Sequence, residues 1–173
     1  MIDLLGIPIG EMFDTPVGDI EWNNTNDEKR GIFSIDGTHY VCNIELRNIS
    51  QLNISFANVS FGVLTDGGDI DQHLQNWKSN PFAVLAGVKK CLVEELTPML
   101  KQLDAVVFVA SITNGEVDKR MRLYASFVSY FDKSFRFKGD HQFKDGSKIH
   151  IMHSINDSTQ RTALMKFVED IAK

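Results

Sequence analysis

Cysteine is scarce. The chain has two, Cys42 and Cys91, each inside an apolar stretch, and no Cys-x-x-Cys pair. That excludes a disulfide framework and a thiolate metal knuckle, and predicts two buried thiols. No run of ~18 apolar residues occurs, so no membrane-spanning helix is expected. The start, Met1-Ile2-Asp3-Leu4-Leu5-Gly6-Ile7-Pro8, lacks the basic opening of a secretion signal, which predicts a cytoplasmic protein with no membrane partner. Basic charge is not in excess: 18 Lys and Arg stand against 23 Asp and Glu, for a net charge of -5. Such a balance gives no electrostatic footprint for nucleic acid, and none is expected as a partner. His39, His73 and His141 are scattered, and the odd spacing of His150 and His153 puts them on opposite faces of one strand, so no metal site is expected. Gly-x-Ser-x-Gly and phosphate-loop motifs are missing too.

What remains is an ordinary globular composition, 43% hydrophobic and 24% charged over 173 residues. The first 30 residues differ from the rest. Pro8, Pro16, Gly10 and Gly18 separate short apolar clusters among acidic residues, which predicts an extended arm over 1–30 anchored by side chains such as Leu4, Ile7, Phe13 and Trp22. A single domain is expected over 31–173.

Ile32-Phe33-Ser34-Ile35, then Asp36-Gly37, then the alternation Tyr40, Cys42, Ile44, Leu46 reads as a hairpin of half-buried strands. In Leu52 to Leu64 the apolar phase switches between Phe56 and Val59. Either a β-bulge near Ala57-Asn58 or a strand covered on both faces would produce this. Ser79-Asn80-Pro81 announces a helix with a buried stripe Leu85, Val88, Leu92, Leu96. Ala105 to Ser111 is continuously apolar, as a central strand is. A helix is expected from Glu116, strands at Phe135-Arg136-Phe137 and Lys148 to Met152, and a closing helix over 159–172. The fold class is therefore α+β: a three-layer arrangement around a twisted mixed β-sheet, with helices on both faces.

Two stretches, Asn80-Pro81-Phe82-Ala83-Val84-Leu85-Ala86-Gly87-Val88 and Phe108-Val109-Ala110-Ser111 followed by Arg120-Met121-Arg122-Leu123-Tyr124, give the chain a family likeness over roughly residues 38 to 132. It resembles the GNAT superfamily of acyl-CoA N-acyltransferases, and within it small GNAT-like proteins encoded by tailed phages. The resemblance implies that the strands at 53–64 and 105–111 are parallel neighbours. It implies acetyl-CoA or another acyl-CoA as cofactor, held by Lys78, Ser79, Asn80, Phe82 and Ala83 at the helix start, by Asn58 and Val59 on the strand, and by Arg120. It gives Tyr124 the role of general acid towards the departing thiolate, with an amine on a protein or small molecule as acceptor.

The loop before the cofactor helix, Trp77-Lys78-Ser79-Asn80-Pro81, carries no glycine, and Val117 stands where the family often has asparagine. These departures predict a catalytically degenerate scaffold that binds no cofactor. It would be a virion component, or a factor directed at a host protein in the host cytoplasm. Its contacts, with a protein partner or a second copy, are expected through residues 1–30 and a basic 119–138 face of Lys119, Arg120, Arg122, Lys133, Arg136 and Lys138.

Overall fold

A computed structural model describes residues 18–128 and 134–172. The described residues divide into two compact units: those up to Glu45 with Ser60–Met99, and Leu46–Val59 with those from Leu100. None of the three boundaries falls at residue 30. Nor are residues 21–30 an arm, because β1 (Glu21–Asn24) pairs antiparallel with β2 (Glu28–Ile35). The expected anchors Leu4, Ile7 and Phe13 lie outside the described residues.

The strands neighbour one another in the order β1-β2-β3-β4-β6-β8-β7, an α+β mixed sheet as expected; β5 (Ile70–Asp71) pairs β4 off this path. Here β3 is Thr38–Ile49, β4 Ile54–Leu64, β6 Ala105–Ala110, β7 Phe137–Gln142 and β8 Lys148–His153. The helices are α1 (Pro81–Cys91), α2 (Val117–Val128) and α3 (Ser158–Ala172). None is long and apolar enough to cross a membrane.

In the first unit, Asp36 and Gly37 take the positive φ of a tight turn (51° and 82°), so Ile35 pairs with Thr38 and Phe33 stacks on Tyr40 at 5.9 Å. Gly87 of α1 lies against the Phe33 ring so closely that a Cβ there would fall 2.2 Å from it. The α-helix stops earlier than the apolar stripe predicts. Pro98 cannot continue the ladder, and Leu92–Leu96 widens into a π turn, with Thr97 Oγ1 donating to Leu92 O at 3.3 Å. Cys42 and Cys91 are both buried free thiols. Trp22 is half-buried: Nε1 donates to Glu94 Oε2 at 3.1 Å, and its ring lies beside Gly31.

In the second unit, β4 and β6 are parallel in the register Phe56↔Ala105 to Val59↔Phe108. That register contains no inserted residue against β6, and the buried positions of β4 pass from Ile54 and Phe56 to Ala57, Val59 and Phe61. Ile54, Phe56, Ala105, Val107, Ile149 and Ile151 meet Leu164 and Val168 of α3. On the opposite face Phe108 stacks on Tyr124 (5.3 Å) and Phe127 (6.5 Å) of α2. Helices thus cover both faces of β6 and β8. Asp104 ties the start of β6 to β4: it accepts from Ser55 N at 2.8 Å through Oδ2 and donates to Ser55 O at 2.7 Å.

Candidate functional site

The expected residues fall in both units: Lys78, Ser79, Asn80, Phe82 and Ala83 in the first, and Asn58, Val59, Arg120 and Tyr124 in the second. A helix N-terminus holds phosphate only through amides that the chain itself leaves unused. At α1 those amides are taken. Phe82 N donates to Asn80 Oδ1 at 2.9 Å, and Ala83 N and Val84 N donate to Asn80 O at 3.1 and 3.2 Å. Pro81 has no amide proton. Ser79 is fixed at both ends, its N donating to Tyr40 Oη and its Oγ to Ile35 O, each at 3.1 Å. Lys78 is exposed. This is a self-capped helix start in which Asn80 satisfies the donors an anion would need.

In the second unit, Asn58 and Val59 are the last two pairs of the parallel ladder with β6. Asn58 Oδ1 is buried and meets no donor. Tyr124 is 2% exposed. Its hydroxyl donates to Val109 O at 3.1 Å and accepts from Arg120 Nη2 at 2.8 Å. Burial pushes the phenol above its ordinary value, and the neighbouring Arg120 guanidinium works against that. A general acid needs a proton it can aim at the leaving group; this proton is aimed at a main-chain carbonyl.

Arg120 departs from expectation as well. It is 2% exposed, so it belongs to the core and not to a basic surface. The i,i+4 spacing brings its guanidinium to Tyr124, and it also donates to Val109 O at 2.9 Å and Ser111 O at 3.4 Å. Of the expected basic face, Lys119, Arg122, Arg136 and Lys138 are exposed, and Lys133 lies outside the described residues.

Of the surface around β7, sequence reasoning singled out only basic residues such as Arg122 and Lys138, as part of the 119–138 face. All six residues of this edge strand are exposed. On the α2 side, an open pocket of about 410 Å³ is lined by Asp118, Arg122, Asp140, Gln142 and Lys148, with Lys148 Nζ 2.7 Å from Asp118 Oδ1. That ammonium holds the Asp118 carboxyl below its ordinary range. On the α3 side, a smaller pocket of about 230 Å³ lies over Ile151, Leu164 and Met165 and is rimmed by His153 and Arg161. Burial, with Arg161 nearby, lowers the His153 pKa. Between the two, Asp140 Oδ1 bonds His150 Nδ1, while His150 Nε2 is buried without a partner. No group of three or more His, Cys, Asp or Glu that could hold a metal occurs among the described residues. Compared with known protein families, curated proteins and solved structures, the chain matches none.

Proposed function

We propose that this chain is a catalytically silent, protein-binding scaffold with a GNAT-like α+β fold. The observation that carries the reading is Tyr124. Its ring is packed under Phe108, and its hydroxyl is committed to Val109 O and Arg120. The self-capped start of α1 adds to this, because an acyl-CoA pyrophosphate would have to displace Asn80 from amides it already satisfies. The exposed surface points to protein contacts instead. The β7 strand offers a row of main-chain groups at the end of the sheet, with every side chain in solvent. Under the resemblance to phage-encoded proteins, such a scaffold would serve in a virion or against a host protein.

The alternative is an acyl-CoA-dependent N-acyltransferase, and acetyl-CoA titration separates the two. A ligand at a hundredfold excess over its Kd stabilises by ~2.7 kcal/mol. For a chain of this length that raises Tm by about 5–10 °C. The scaffold reading expects no shift at millimolar acetyl-CoA and no release of free CoA thiol with amine acceptors. A shift of that size, with thiol release that Tyr124→Phe abolishes, would overturn it.

A further inference from the structure

Resting on the scaffold reading, we infer that β7 is a self-complementary edge whose partner is the β7 of a second copy, paired antiparallel about Gly139. The inference starts from the strand's position. Hydrogen-bonded to β8 on one side, β7 ends the strand order among the described residues, and its side chains are exposed on both faces. An open edge of this kind pairs with another strand unless something on it forbids the match.

Three registers, centred on Lys138, Gly139 and Asp140, can be compared on the sequence Phe137-Lys138-Gly139-Asp140-His141-Gln142. In an antiparallel pair, opposite residues must both point their main-chain groups towards the partner, or both away. For two identical strands this admits only registers centred on a residue. Centring on Lys138 sets two ammonium groups against each other; centring on Asp140 sets two carboxylates against each other. Both are disfavoured.

Centring on Gly139 reverses the balance. Lys138 then faces Asp140 of the second copy and Asp140 faces its Lys138. Phe137 and His141 meet as two aromatic pairs, and the glycines meet at the axis. A lone cation on an edge repels a second copy, whereas a cation and an anion flanking one glycine invite it.

The faces agree as well. The pairing to β8 puts Lys138 and Asp140 opposite Met152 and His150, and Phe137 and His141 opposite His153 and Ile149. The two charged residues therefore share one face and the two aromatic residues the other. A two-fold axis perpendicular to the sheet keeps each face on its own side, so partners that are opposite in sequence are also on the same face. The groups have room to act. The Asp140 side chain is 61% exposed even while it bonds His150, Phe137 is 40% exposed while stacked on His153, and a Cβ at Gly139 meets nothing within 4 Å.

Cross-linking tests the register directly. Residues opposite one another at the axis have Cα atoms ~4.5–5.5 Å apart, within disulfide range. In the full chain, Gly139→Cys should give a covalent dimer under mild oxidation. Lys138→Cys and Gln142→Cys, whose symmetry mates lie beyond ~7 Å, should not. Absence of dimer at 139, or equal yields at 138 or 142, overturns the inference.

Sedimentation of chains without added cysteine provides the second arm. Lys138→Glu should weaken self-association at least about tenfold, and Lys138→Gln less. Added salt should weaken the unmodified dimer and strengthen that of Lys138→Glu. A monomer at every concentration, or no difference between the two variants, sinks the second-copy assignment. The scaffold reading then stands or falls by the acetyl-CoA titration alone.

Discussion

Removing the Tyr124 hydroxyl separates a locked core tyrosine from a catalytic one. Tyr124→Phe keeps the ring against Phe108 and Phe127 but deletes two bonds, the donation to Val109 O and the acceptance from Arg120 Nη2. Val109 O keeps its bond from Arg120 at 2.9 Å, so the carbonyl is not orphaned. What is lost is a bond to a charged donor in a site 2% exposed. Hydrogen bonds to charged groups contribute ~1.5–3 kcal/mol, so a loss of about 2 kcal/mol is expected. For a chain of this size that is about 4–8 °C in Tm.

The effect has a pH signature. Burial, the larger influence, raises the Tyr124 phenol above its ordinary value. Such a group contributes its stability in full below the unfolded pKa, and the contribution is lost as pH rises towards the folded one. The gap between the native chain and Tyr124→Phe is therefore full at pH 7 and narrows above about pH 10. Urea unfolding at the two pH values measures both. A variant as stable as the native chain at pH 7, or a gap that widens at high pH, would refute the buried, committed phenol.

At Gly87, an added Cβ would sit 2.2 Å from the Phe33 ring, which is itself stacked on Tyr40. Overpacking costs ~1–3 kcal/mol and outweighs the ~1 kcal/mol gained in helix propensity, so Gly87→Ala should lower the urea midpoint; a raised midpoint would contradict the close contact. Contact with Cys91 and burial push the Cys42 thiol up. Both cysteines should therefore resist a disulfide reagent at pH 8 in the folded chain and react as two thiols per chain once it is unfolded. Rapid reaction of either in the native state would contradict their burial.

Local chemistry alone determined much of this protein. Asp36-Gly37 set the hairpin because only such residues accept two consecutive positive φ values readily. Asn80-Pro81 set the start of α1, and Ala105 to Ala110 the buried strand. The β7 strand was barely legible, placed at 135–137 when it runs 137–142. An edge strand exposed on both faces buries little, so no apolar alternation marks it. Residues 21–24 read as an arm for a related reason: the short polar strand Glu-Trp-Asn-Asn carries little periodic signal until β2 lies beside it. The roles of Arg120 and Tyr124 were beyond the sequence as well. Their spacing places them on one helix face, but only the packing of α2 against β6 decides whether guanidinium and phenol end in a cleft or on the carbonyls of Val109 and Ser111, which come from a different element. Asn80 shows the same division. Its identity predicts a cap, and an anion site and a finished cap share one sequence; they differ in whether the asparagine oxygen turns onto the amide of Phe82, which a rotamer set by the surrounding fold decides.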